Sequence, residues 1–189
     1  MMGLISNPGF VRNRKGDAGF TLVEMLVVIS IMAVTAAIAI PAFAVWLPNY
    51  RLKSAARDLY SNLQLAKLGA VKENKSWAVV FDQGVNPGKY QIVSDWDGAK
   101  NVEKTVYLTQ YEGIDFGHGT AGSGIGSHVW SSGDEITYTS DVVVFNSRGT
   151  CNGGYAYLAN QKDTTYGVGT RTSGVVLLRK YTGGTPPWE

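Results

Sequence analysis

From Thr21 to Ile40 the chain reads TLVEMLVVISIMAVTAAIAI, an apolar run broken by a single charge, Glu24. As a helix it would be about 30 Å long, the thickness of bilayer hydrocarbon, so the run is a candidate membrane helix. Arg12, Arg14 and Lys15 precede it. Positive charge flanking one end holds that end in the cytoplasm and places the residues after Pro41 on the other side.

An ordinary secretory signal competes with this reading, because a basic start, an apolar run and Ala42-Phe43-Ala44 would offer a cleavage site leaving Val45 as the new N-terminus. The run is longer than the roughly 7–15 residues of a signal core. It also keeps Glu24, and a carboxylate near mid-bilayer is disfavoured by several kcal/mol, about 2.5–3.5 on insertion scales. Both features favour a retained anchor over a discarded signal.

With 189 residues, 44% of them hydrophobic, the chain has room for one globular domain beyond the anchor. Its 23 glycines and sparse charge, 17%, suit a turn-rich β domain. Arg12, Arg14 and Lys15 against Asp17 account for the whole excess of the 17 basic over the 15 acidic residues, leaving 14 of each after Gly19. A chain that grips polyanions normally carries a basic excess, and this one does not once Gly19 is passed. Cys151 is the only cysteine, so no internal disulfide forms, and a small buried or half-buried residue in a turn is expected there.

Beyond Pro41 the helical pattern resumes, with local kinking or loosening expected at Pro41 and Pro48, each of which lacks a backbone donor. Leu52, Ala56, Leu59, Leu63, Ala66 and Ala70 follow steps of four and three and predict one narrow apolar stripe lying on a sheet. Leu65 and Leu68 lie off that stripe and face either other subunits or a wider core. The period then changes to two. Residues 77–81, 90–93, 105–108, 142–145, 155–158 and 175–178 read as strands, punctuated by turns such as Asn86-Pro87-Gly88 and Asn152-Gly153-Gly154. The predicted class is α+β, a long N-terminal helix followed by an antiparallel β domain.

Several candidate sites fail on their own chemistry. The glycine-rich segment 113–133, with Gly122-Ser123-Gly124-Ile125-Gly126, lacks the strand, helix and Gly-Lys-Ser/Thr ending of a phosphate loop and reads as a flexible surface loop. His118 and His128, with Asp115 nearby, fall short of the three or four ligands of a zinc site. Asp95-Trp96-Asp97-Gly98 opens like a calcium loop but has no bidentate Glu at the twelfth position. No Gly-x-Ser-x-Gly elbow is present, and neither histidine neighbours an evident nucleophile, so no enzyme activity, metal or cofactor is expected.

The stretch from Arg14 to Glu24, RKGDAGFTLVE, resembles the prepilin peptidase signature of type IV pilins and type II secretion pseudopilins. The shared features are a basic leader ending in Gly19, Phe20 after the cut, Glu24 as fifth mature residue, and Pro41. The resemblance implies cleavage after Gly19, methylation of the Phe20 amine, and assembly roles for Glu24 and Pro41. It divides the chain into a leader (1–19), a membrane or filament-core helix (20–41), an amphipathic helix (42–75) and a β domain (76–189). The β region is similar to GspH/FimT-type pseudopilins and minor pilins in Trp77 to Asp82, in Phe145-Asn146-Ser147-Arg148-Gly149 and in the Ser173-Gly174-Val175 turn. Those relatives imply two twisted sheets and a minor place in a type II secretion pseudopilus or a type IV pilus. The implied partners are other pilins, the prepilin peptidase, the inner-membrane assembly platform and, before assembly, the lipid bilayer; the implied location is the bacterial inner membrane, single-pass, with the β domain in the periplasm.

Some FimT-type proteins bind DNA through a Gly-Arg-x-Arg element near the C-terminus. The corresponding stretch here is Gly174-Val175-Val176-Leu177, with Val175 and Leu177 in place of arginines. Arg171, Arg179 and Lys180 flank it and are what remains for a weak phosphate contact, so nucleic acid is not the expected partner.

Overall fold

The computed structural model describes residues 19–126, 128–130, 135–184 and 187–189. The leader basics Arg12, Arg14 and Lys15 therefore lie outside the described residues. Two compact units are distinguished, the first ending at Pro41 and the second running from Ala42 to Glu189.

A single helix, α1 (Leu22–Glu73), contributes to both units. Thr21 caps its start: the Thr21 hydroxyl oxygen accepts from the Glu24 amide at 3.1 Å, answering one of the amides that a helix start leaves without a partner. Pro41 and Pro48, where kinking or loosening is expected, do not end the helix: α1 continues through both positions. Each proline forfeits one ladder hydrogen bond, and the surrounding turns supply the rest.

In the first unit every described side chain from Phe20 to Pro41 is exposed. Ser30 and Thr35 turn their hydroxyls back onto the helix, donating to the carbonyls of Leu26 at 2.7 Å and Ile31 at 3.0 Å, so neither needs water.

In the second unit the stripe behaves as its spacing predicts. Leu52, Ala56, Leu59, Leu63, Ala66 and Ala70 are all fully buried, joined by Ala55 and Asn62. The stripe shares one core with two antiparallel sheets. The first sheet orders β3 (Asn101–Tyr107), β2 (Lys89–Ser94), β1 (Trp77–Asp82) and β5 (Val142–Phe145). The second orders β4 (Ile114–Phe116), β6 (Gly154–Asn160), β7 (Thr165–Thr170) and β8 (Val176–Lys180). Val79 and Ile92 from one sheet meet Ile114, Leu158 and Val168 from the other in that core. Leu65 and Leu68 stay outside it, 48% and 65% exposed, which removes the wider-core alternative.

One polar network crosses from helix to sheet. The Tyr90 hydroxyl donates to Asp58 at 3.0 Å and accepts from the Asn62 amide at 2.8 Å, while Lys104 donates to the Asn62 carbonyl oxygen at 3.0 Å. Burial, then the Asp58 charge, raises the Tyr90 phenol far above its ordinary range, so it stays a neutral donor.

Two turns interlock beside α1. Gly149 and Gly174 both have φ of +77°, where a side chain is strained, and a Cβ on Gly174 would run into the Gly149 carbonyl oxygen. Lys67 of α1 donates to the Gly174 carbonyl at 3.0 Å. The Phe145–Gly149 and Ser173–Val175 patterns are thus two halves of one contact.

Candidate functional site

The features that could do work are the exposed helical anchor, the basic residues near β8, and the aromatic segment between β4 and β5. At the anchor, Leu22, Val23 and Glu24 form the first turn after the Thr21 cap. That turn matches the capping-box spacing Thr-x-x-Glu, and a carboxylate there is also favoured by the positive end of the helix dipole. Phe20 precedes the cap, 71% exposed. Residues from Phe20 through Trp46 are exposed, so this stretch presents its apolar side chains to something other than its own chain.

Near the C-terminus, strand alternation separates residues that sequence reading grouped. Leu177 and Arg179 face one side of the second sheet, whereas Val176, Leu178 and Lys180 face the other. Arg171 and Arg179 line a cleft of about 430 Å³ with Tyr155, Leu177 and Trp188. Lys180 lines a different cavity, with Trp46, Tyr50 and Lys53 of α1. Arg171, Arg179 and Lys180 therefore do not form one row. Val175 is exposed and Leu177 half-buried where arginines would stand in the Gly-Arg-x-Arg pattern.

The segment expected to be a flexible loop is tied down over its described residues. It contains β4, paired with β6 from Ile114↔Asn160 to Phe116↔Leu158. Asp115 is structural, its carboxylate accepting from the Gly88 amide at 2.8 Å. His118 stacks on Trp130 at 4.4 Å and His128 meets the same ring edge-on at 5.6 Å. The Tyr157 hydroxyl accepts from the Ile125 amide at 2.8 Å, and Trp188 donates to the Ser123 carbonyl at 3.0 Å. Among the described residues, no group of three or more His, Cys, Asp or Glu could hold a metal. Sequence reading missed this second aromatic cluster; the density of Tyr and Trp at positions 130, 155, 157 and 188 was the available signal.

Cys151 sits half-buried just past the turn, bridged antiparallel to Phe145, its thiol donating to the Arg171 carbonyl at 3.3 Å. Burial pushes the thiol above its ordinary value, so it is a poor nucleophile.

A family profile described as prokaryotic N-terminal methylation motif matches residues 14–40, and one described as type II transport protein GspH matches residues 55–174. Among solved structures, the type IV minor pilin FimU of Pseudomonas aeruginosa aligns at 14% identity and a TM-score of 0.48, covering 69% of this chain and 89% of that one. The minor pseudopilin EpsH of the Vibrio cholerae type 2 secretion system aligns at 14% identity and a TM-score of 0.48, covering 68% and 95%. A search of curated proteins gave no significant match.

Proposed function

Because the chain belongs to the type II transport protein GspH family, whose profile spans well over half of it, we propose that it serves as a membrane-anchored minor pilin or pseudopilin subunit. The observation that carries the proposal is the anchor: a helix apolar on all sides, unburied by its own chain, with a carboxylate in its first turn. In a bilayer that surface is covered by lipid; in a filament it is covered by the same helices of neighbouring subunits. The basic leader puts the cut at Gly19 on the cytoplasmic face, where the prepilin peptidase and the assembly platform would meet it, and the β domain in the periplasm.

Cleavage after Gly19 creates an amine on Phe20, subsequently methylated. Moving from the interface into a filament core takes the Glu24 carboxylate out of water, and an unpaired charge there is costly. The Phe20 amine of a neighbouring subunit compensates it and sets the axial offset between helices. Two local roles compete for Glu24: pairing with its own Phe20 amine, and closing the Thr21 capping box. Glu24→Gln separates charge from capping, since glutamine also serves at that helical position. The variant is expected to be processed to Phe20 and inserted normally, as read by N-terminal sequencing of membrane protein, but to be depleted from purified filaments. Wild-type incorporation would remove the assembly role, and a mature chain beginning at Val45 would remove the anchor reading. No observation favours nucleic acid as partner.

A further inference from the structure

The anchor reading raises the question of what meets the membrane just beyond it. Two residues past the anchor, Phe43 begins an aromatic ladder on α1: it packs edge-on to Trp46 at 6.2 Å, and Trp46 stacks on Tyr50 at 5.0 Å. Trp and Tyr settle at bilayer interfaces, where an apolar ring body and a polar tip are both accommodated.

Immediately beyond the ladder lies a cavity of about 300 Å³, lined by Trp46, Tyr50 and Lys53 from α1 and by Thr164, Tyr166 and Lys180 from the second sheet. Two of its walls are tied together: the Asn49 side-chain oxygen accepts from the Asn160 side-chain amide and from the Thr164 hydroxyl, each at 3.0 Å. Tyr50 and Lys53 continue into a smaller recess with Ser54 and Arg57, and the Arg57 charge is felt at the Tyr166 phenol. Three cations of the domain are held in ion pairs away from this cavity: Arg51 with Glu112 at 2.8 Å, Lys75 with Asp95 at 3.0 Å, Lys89 with Asp82 at 3.3 Å. Among the described residues, Lys53, Arg57 and Lys180 have no carboxylate partner.

We propose that this cavity is a binding site for the phosphate-bearing headgroup of an anionic phospholipid, occupied while the subunit waits in the bilayer. The proposal rests on the anchor reading. Lys53 and Lys180 supply the charge, the Tyr50 and Tyr166 hydroxyls supply donors, and the acyl chains run past the apolar faces of the Trp46 and Phe43 rings. A free phosphate would gain the same polar contacts but nothing from that apolar surface. Long basic side chains at this depth reach headgroups readily, and each contributes about fivefold in affinity for an anionic surface. Entry into a filament then requires release of the lipid as well as of the anchor.

The test uses the full chain in detergent micelles, with retained lipid read by native mass spectrometry against added phosphatidylglycerol, phosphatidylcholine or inorganic phosphate. Phosphatidylglycerol is expected to be retained preferentially, with a loss of about twenty-five-fold in affinity for the Lys53→Gln/Lys180→Gln double variant, about fivefold per lysine. An Arg171→Gln/Arg179→Gln control, on the opposite sheet face, is expected to bind as wild type. Equal retention of phosphatidylcholine, equal binding of inorganic phosphate, or an unaltered double variant would each overturn the site. Should the double variant melt below wild type, the Lys53→Arg/Lys180→Arg variant decides: restored folding without restored lipid preference also overturns it. Carbonate extraction of membranes reports on the anchor alone, so a chain released by carbonate sinks the anchor reading, and a retained chain without lipid preference sinks only the site.

Discussion

The two halves of α1 are built from similar residues and do opposite things with them. From Leu22 to Pro41 the apolar side chains surround the helix and all are exposed; from Leu52 to Ala70 most of them occupy one stripe that is fully buried against two sheets, with Leu65 and Leu68 left outside it. Burial at about 25 cal/mol per Å² stabilises the domain only where the chain itself removes the surface from water. The first half therefore contributes to affinity for lipid or for other helices, and the second to the stability of the fold.

The largest expected effect tests whether the second half depends on the turns it docks. Gly174→Val puts a branched side chain at φ +77° and against the Gly149 carbonyl, at a position whose own carbonyl is held by Lys67. Strain and overlap together are expected to cost more than about 4 kcal/mol, read as loss of cooperative thermal unfolding. A Gly174→Val domain that melts like wild type would show that the interlocked turns contribute little.

A paired substitution compares the halves directly. Leu59→Ala removes a fully buried side chain from the shared core and is expected to cost the domain about 2–5 kcal/mol. Leu26→Ala, in the exposed half, is expected to leave the domain's melting unchanged while weakening retention in membranes or filaments. A shared loss of domain stability would erase the distinction.

The polar seam between α1 and the first sheet is expected to matter less. Tyr90→Phe withdraws the hydroxyl that serves Asp58 and Asn62, at about 1–3 kcal/mol by chemical denaturation. The same neighbourhood sets an alkaline limit. Burial, then Asp58, pushes the Tyr111 phenol from 10.0 up to about 12, and burial raises Tyr138 as well. A raised phenol contributes stability that is complete below pH 10 and is lost as pH climbs through about 12. Melting temperature is therefore expected to be flat to pH 10 and to fall above it; a fall that starts near neutrality would count against these phenols as the cause.

Much of this was legible because the periods are clean. The stripe at Leu52, Ala56, Leu59, Leu63, Ala66 and Ala70 has regular spacing, and six strands carry runs of Val, Ile, Tyr and Phe. What escaped was glycine put to an unusual use. Strand β7 reads Thr-Tyr-Gly-Val-Gly-Thr, poor strand material by propensity. Gly169 is nonetheless required, because a Cβ there would strike the Gly154 carbonyl oxygen and the Tyr155 ring, while a Cβ at Gly167 would meet the end of the Ile125 side chain and crowd the Tyr157 ring. Strand β4 is only three residues long among glycines, and its existence depends on pairing with β6, which no local pattern reveals. Asn62 occupies a stripe-side position that apolar periodicity alone cannot assign, since its burial depends on Tyr90 and Lys104 being opposite. For the basic residues near the C-terminus, proximity in sequence misled: Arg179 and Lys180 are adjacent, and strand alternation sends them to opposite faces.

The smallest expected effect sharpens the comparison within the second half itself. Leu68 lies on the same helical stretch as Leu63 and Ala70, yet it is 65% exposed while they are fully buried. If position along α1 decided the role of an apolar residue, Leu68→Ala would cost as much as Leu59→Ala. If the face decides it, the change removes little area from the core, and the domain's stability should move by no more than about 0.5 kcal/mol. The same substitution then acquires a second reading in the assembled state, because Leu65, Leu68 and Val71, three residues apart and all exposed, form an apolar surface that another subunit can cover. Leu65→Ala/Leu68→Ala is expected to melt like wild type and to be recovered less in filaments. Recovery at wild-type levels would leave these two leucines as ordinary surface residues and would confine intersubunit contact to the half of α1 before Pro41.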